Sequence, residues 1–329
     1  MKKYLFVFCI CLLVMGCKKK YVLIFPTVSV QQIASPVTED LQSICFISSS
    51  NGFIGGSKGN IYKTNNGGSS WTNISLSDKT MNVEKVLFIS ALKGFCATQQ
   101  DVFRTIDGGT TWVSVLNSQD NIFDIQFVTA TIGYAVGGQY TQAVYKTTDG
   151  GTTWNNIYAP PGFDNPMNAV SFINKDTGYA TVSDKRILET VNGGIKWTQY
   201  KNDENYIYNI SDLVYTGYRT GYAVGQYGYA VYQNTSDHST DVNLISKDQY
   251  GYNINAIAYR NGHIVAVGAK SILMPYNDPE SKSYPWHYYI SQDGTTLPYT
   301  YNDVTFSDDF TFYAVGNGGV ITKFIYPNQ

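Results

Sequence analysis

Arginine is scarce in this chain. Of 329 residues, four are arginine (Arg104, Arg186, Arg219 and Arg260), three are histidine (His238, His263 and His287) and five are cysteine. So few guanidinium groups in a precursor of formal charge −2 leave nucleic acid no electrostatic footprint. The histidines stand in three unrelated contexts, none beside a nucleophile elbow, so serine-type nucleophilic catalysis has no support. No CxxC pair or metal-ligand spacing occurs, and neither a metal nor a cofactor is expected. Long helical apolar periodicity is also missing. What the composition supplies instead is 15% aromatic residues and 30 glycines, which points to an all-β protein.

The chain has one long apolar run, Tyr4 to Gly16, preceded by Lys2 and Lys3. It is too short to span a bilayer and is flanked as a secretory signal would be. Its end, Val14-Met15-Gly16-Cys17, resembles the lipobox of bacterial lipoproteins, which implies acylation of Cys17. A plain signal peptide ending in Gly-Cys is the other reading, because Met15 departs from the pattern. The expected organisation is a signal peptide over 1–16, a lipidated N-terminus and short tether over 17–24, and one folded unit over 25–329. Lys18 after Cys17, in place of Asp, is compatible with transport to an outer membrane. Cys45 and Cys96, both in strand-like contexts, are expected to be buried unpaired thiols.

Beyond the tether the chain repeats itself. Trp71, Trp112, Trp154 and Trp197 are spaced by 41, 42 and 43 residues, and each closes a variant of one octapeptide: TNNGGSSW, TIDGGTTW, TTDGGTTW and TVNGGIKW. An aromatic ends an apolar-alternating run before each of them (Phe46, Phe88, Phe127, Phe172), and this marker continues as Tyr215, Tyr259 and Phe306. A glycine with an aromatic follows in most units, as in GFIGG, GFCAT, GYAVGG, GYATV and GYAVG. Seven units of about 42 residues, each readable as four short strands, predict a seven-bladed β-propeller. The last unit carries only three strands before the chain runs out. The N-terminal FPTVSVQQI, Phe25 to Ile33, is therefore expected to supply its fourth and close the ring.

The octapeptide has a geometric explanation. Asp or Asn can accept hydrogen bonds from the amides of its own turn, and two glycines permit positive φ. Asn66 and Asn192 stand where Asp107 and Asp149 stand elsewhere, which argues for geometry over ionisation. Thr64, Asn66, Gly68 and Trp71; Thr105, Asp107, Gly109 and Trp112; Thr147, Asp149, Gly151 and Trp154; and Thr190, Asn192, Gly194 and Trp197 resemble the Asp-box, or BNR repeat. Together with the recurring GYAVG, the chain from about Val28 onward resembles the photosystem II stability/assembly factor-like propellers. That resemblance implies a non-enzymatic assembly protein, although the family's basic arginine patch is not matched here. Asp-box propellers also include sialidases and xyloglucanases, so the repeat speaks for fold and not for function.

Four arginines give little to build a sialidase site. A glycoside hydrolase needs two facing carboxylates. Asp124, Asp212 and Asp303 each lie three residues before the strand-ending aromatic and could line one rim of a central channel. They could equally be turn residues that start a strand, since other units place Ser43, Lys85, Ala169 and Ala256 there. Twenty of the 28 tyrosines fall between Tyr200 and Tyr326. Tyr206, Tyr208, Tyr227, Tyr229, Trp286, Tyr288 and Tyr289 are the candidate binding surface, and filling gaps between blades is the alternative. The expected function is a membrane-anchored, monomeric binding or assembly scaffold of the bacterial cell envelope. Its expected partner is an envelope protein or peptide; a glycan-binding or glycan-hydrolysing surface lipoprotein is the alternative.

Overall fold

The computed structural model describes residues 28–118, 120–139, 142–158, 165–183, 185–199, 209–228, 230–234, 243–246, 252–275, 286–288 and 297–326, with backbone alone for 231–234, 243–246, 275 and 286–288. The expected signal peptide, Cys17 and Phe25–Thr27 lie outside the described residues.

These residues form seven four-stranded antiparallel sheets. Their innermost strands are Leu41–Phe46, Val83–Phe88, Ile122–Phe127, Met167–Phe172, Ile210–Gly217, Ile254–Arg260 and Tyr301–Phe306. Each neighbours the next in chain order and the last neighbours the first, so the architecture is an all-β propeller with four-stranded blades. In sheets 1 to 6 the four strands follow one another along the chain. Sheet 7 takes Tyr301–Phe306, Thr311–Gly316 and Ile321–Ile325 from the C-terminal end, and Ser29–Gln32 pairs with the last of these, Ser29 opposite Ile325.

The apolar core of the described residues is divided among the sheet junctions. Seven apolar clusters lie one at each junction of adjacent sheets among the described residues, including Tyr313, Val315 and Ile321 of sheet 7 against Leu41, Ile44 and Phe46 of sheet 1. The repeated sequence markers explain these junctions. The glycine that opens the second strand pairs with the aromatic that ends the first, as in Phe46↔Gly52 and Phe172↔Gly178. The ring lies over the glycine: a Cβ at Gly52 would come within 2.5 Å of Phe46, and one at Gly178 within 2.6 Å of Phe172. The following aromatic then stacks on the strand-ending ring of the next sheet. Phe53 meets Phe88 at 3.4 Å between centroids, Tyr134 meets Phe172 at 3.6 Å, and Tyr179 meets Tyr215 at 3.6 Å.

The Asp-box turn completes each wedge in sheets 1 to 4. In the second repeat Thr105 Oγ1 accepts from Gly109 N at 2.9 Å and donates to Asp107 Oδ1, which also accepts from Thr111 N. Asp107 Oδ2 accepts from the Thr111 hydroxyl, and these bonds draw its pKa down to about 2. In the first repeat Asn66 makes the same turn, with Nδ2 donating to Ser70 Oγ at 2.8 Å. All eight box glycines have positive φ. The tryptophans do more than cover the hairpin. Trp112, Trp154 and Trp197 meet the strand-ending aromatics Phe88, Phe127 and Phe172 edge-on, and Trp112 Nε1 donates to Ile74 O of the preceding sheet.

Asp149→Asn should change unfolding free energy by less than about 1 kcal/mol, since asparagine makes this turn at Asn66, whereas Trp154→Ala should cost about 3–5 kcal/mol. Urea unfolding of the two variants checks this; equal costs would show that the ring contributes nothing beyond the turn. Deleting Ser29–Gln32 strips the partner from Ile321–Ile325 and should lower Tm, and an unchanged Tm would mean that this ladder carries no stability.

Candidate functional site

Each innermost strand faces the central channel with one edge, and half of its amides point away from the second strand. Unpartnered edge amides invite foreign strands. A register shift interrupts the pairing near the start of every innermost strand, for example between Ile122 and Asp124 and between Tyr301 and Asp303. Bulges re-aim the side chain that follows. That residue is Ser43, Lys85, Asp124, Ala169, Asp212, Ala256 or Asp303 in sheets 1 to 7.

Three carboxylates and one hydroxyl serve all seven amides at the next position. Asp124 accepts from Ile125 N at 2.9 Å and from Val170 N of the following sheet at 3.0 Å. Asp212 accepts from Leu213 N at 2.8 Å and Ile257 N at 2.9 Å, and Asp303 from Val304 N at 2.9 Å and Ile44 N at 3.0 Å. Ser43 Oγ donates to Asp303 Oδ2 and accepts from Val86 N. Where a sheet offers Lys or Ala and no acceptor, the aspartate of the next sheet serves its own amide. A second girdle lies two residues on: Cys45, Gln126 and Ser171 accept from the amides of Phe88, Phe172 and Tyr215.

Lys85 sits among the carboxylates, its Nζ 3.8 Å from Asp124 Oδ1 and 3.7 Å from Asp303 Oδ2, with the side chain about 30% exposed. Burial favours its neutral form, but the charges of Asp303, Asp124 and Asp212 outweigh burial and raise its pKa. Burial raises Asp124, and it lifts Asp212 to about 7 despite Lys85. The three aspartates are thus brought together, as a channel girdle closed by a lysine. Their oxygens hold main-chain amides, and burial brings Asp212 to where it exchanges a proton near neutral pH. The sequence already placed Lys85 at the aspartates' strand position; its role as their common cation required the ring.

Other candidate residues are dispersed. Tyr227 is exposed, at the apex of the Gln226–Gly228 turn. Trp286 and Tyr288 lie on the outer strand Trp286–Tyr288 of sheet 6. Tyr206, Tyr208, Tyr229 and Tyr289 lie outside the described residues. Arg104 has a buried Nε without a hydrogen-bond partner and shares its strand position with Lys63 and Lys146, whose ammonium groups lie 5.7 Å and 5.1 Å from the Phe53 and Tyr134 ring centroids. Arg219 pairs with Glu189 at 3.1 Å and Arg260 with Asp309 at 2.8 Å. Cys45 and Cys96 are free thiols, Cys96 buried and Cys45 half-buried, and burial raises both pKa values. Among the described residues no group of histidine, cysteine and carboxylate side chains could hold a metal ion.

The family model described as photosynthesis system II assembly factor YCF48 matches residues 25–119 and 113–199, which together span just over half of the chain. Similar solved structures include YCF48 bound to D1 peptide (16% identity, 93% of this chain and 99% of that one, TM-score 0.72). YCF48 from Cyanidioschyzon merolae matches at 18% identity over 90% of this chain and 98% of that one, with a TM-score of 0.70. Selenomethionine-substituted virginiamycin B lyase from Staphylococcus aureus, at 12% identity over 91% and 100%, reaches 0.74. No curated protein matches the chain.

The raised pKa of Asp212 sets the sign of a pH effect. Between its ordinary value of 3.8 and about 7, the folded state binds a proton that the unfolded state has released. Its contribution is therefore complete below about pH 4 and is lost as pH rises through about 7. Lys85, raised from an already alkaline value, adds no slope in that window. The urea midpoint of the wild-type protein should fall between pH 5 and pH 8 more steeply than that of Asp212→Asn, and parallel profiles would refute the assignment.

Proposed function

The chain belongs to the family of the photosynthesis system II assembly factor YCF48, and from that premise we propose that it is a non-enzymatic binding protein that holds an extended segment of a protein partner. The observation that carries this reading is the family match, joined to a structural likeness across the whole ring to YCF48 bound to D1 peptide. The channel supports it: Asp124, Asp212 and Asp303 use their oxygens on amides and on Lys85, an arrangement suited to holding a ring together more than to hydrolysis. The likeness to virginiamycin B lyase, at 12% identity, speaks for the fold alone.

The ring is seven-bladed and closed by the N-terminal strand, a reading supported by the ladder of Ser29–Gln32 with Ile321–Ile325 and by the apolar junction of sheets 7 and 1. The protein is exported and held by acyl chains on Cys17 in the bacterial envelope, most simply at the outer membrane. Support for this second reading comes from the Tyr4–Gly16 run, the Gly16-Cys17 junction and Lys18.

Cross-linking the full-length protein in its own envelope, followed by competition with synthetic peptides from the captured partner, tests the function. A discrete protein partner displaced by one of its own peptides is expected. Binding to a glycan array with no peptide-competed protein partner would overturn the proposal in favour of the glycan reading.

A further inference from the structure

The two ends of the ring are built differently. One end carries the turns between first and second strands and the Asp-box turns; the other carries the turns between second and third strands, such as Gln226–Gly228. Among the described residues, eight exposed large apolar side chains lie at the Asp-box end: Leu92, Ile106, Val113, Val191, Ile195, Tyr218, Tyr259 and Phe310. Ile106, Val191 and Ile195 belong to the Asp-box turns themselves and are each more than 60% exposed. Tyr227 is the one exposed large apolar residue at the other end among the described residues.

The position of the N-terminal strand gives this asymmetry a direction. Ser29 pairs with Ile325, at the end of a strand that runs toward the Asp-box end, and Gln32 pairs with Thr322. The chain therefore enters the fold at the Asp-box end. Eleven peptide units separate Cys17 from Val28, at most about 40 Å of extended chain. A lipid on Cys17 would thus tether the ring by the end that exposes its isoleucines, valines and aromatic rings. Lys18, Lys19 and Lys20 lie beside the anchor, where anionic headgroups attract basic residues. Inverting the ring would stretch the tether along the full height of a blade, about 17 Å, and leave the apolar side chains in water.

We propose that the Asp-box end of the propeller is a membrane-docking face, seated on the headgroup region of the bilayer that holds the anchor, with Leu92, Ile106, Val191 and Ile195 dipping into it and Tyr218 and Phe310 at its border. This rests on the reading of Cys17 as the lipidated residue. The opposite end of the channel, with Tyr227, then faces the aqueous side and is open to a partner. Apolar side chains and interfacial aromatics around a lipid tether are the chemistry of peripheral membrane contact.

Full-length protein, processed in a bacterial host and reconstituted into phosphatidylcholine–phosphatidylglycerol vesicles containing doxyl-labelled lipid, tests the orientation. An environment-sensitive fluorophore is placed at Ile106→Cys or at Tyr227→Cys, and the mass of the N-terminal peptide is measured on the same samples. Several-fold stronger quenching at position 106 than at 227 is expected. Equal quenching, or stronger quenching at 227, on a protein whose Cys17 peptide carries acyl chains would overturn the docking face and leave the anchor standing. A peptide without acyl mass would overturn the anchor and the docking face with it. Leu92→Ser, Ile106→Ser, Val191→Ser and Ile195→Ser combined should at least halve quenching of a label at Val113→Cys; unchanged quenching would show that the tether alone, and not the apolar face, sets the contact.

Discussion

The channel girdle is the constraint on which the ring depends. Innermost strands of a propeller expose amide edges toward the axis, and a buried amide without an acceptor costs about 1–3 kcal/mol. Three aspartates and one serine satisfy the seven amides that follow the bulges, four of them across a sheet junction. The carboxylates would repel one another in so narrow a space, and Lys85, 3.8 Å from Asp124 and 3.7 Å from Asp303, answers that repulsion. Proton binding by Asp212 near pH 7 fits this crowding, since burial opposes its charge and Lys85 only partly compensates.

Around that girdle the sheets are held by wedges of aromatic rings. A glycine admits the ring that ends the first strand, the next residue stacks across the junction, and in sheets 2 to 4 a tryptophan from the Asp-box turn closes the wedge edge-on. Sheets 1 to 5 carry the glycine, and rings stack across the junctions from sheet 1 to sheet 5 and from sheet 7 to sheet 1, so stability is distributed around the ring. Departures are local. In sheet 6 Ile264 stands opposite Tyr259 and in sheet 7 Phe312 stands opposite Phe306, where sheets 1 to 5 place glycine, and Tyr259 is 40% exposed.

A ring fixed from inside leaves its two ends to do different work. The Asp-box turns are rigid, with carboxylate or carboxamide, hydroxyl and glycine amides locked together, so the residues between them can vary without loss of shape. Ile106, Val191 and Ile195 occupy such positions. A family whose members share the ring can therefore change what each end touches while the channel stays as it is.

The all-β class, the four-stranded repeat and the Asp-box geometry were legible in the sequence because each rests on local chemistry: turn residues with positive φ, alternation along strands and a fixed spacing of tryptophans. Equivalence of Ser43, Lys85, Asp124, Ala169, Asp212, Ala256 and Asp303 was legible too, from their shared distance to the strand-ending aromatic. What those residues do for one another was not, since Asp303 and Ile44 lie 259 residues apart and meet only when the ring brings the last sheet to the first. Nor could spacing show that the rings of Phe46 and Phe172 lie over Gly52 and Gly178, or that the exposed apolar side chains gather at the end where the chain enters. Local propensity determined the blades; closure of the ring, which sets who faces whom across a junction, decided the girdle, the charge at its centre and the difference between its two ends.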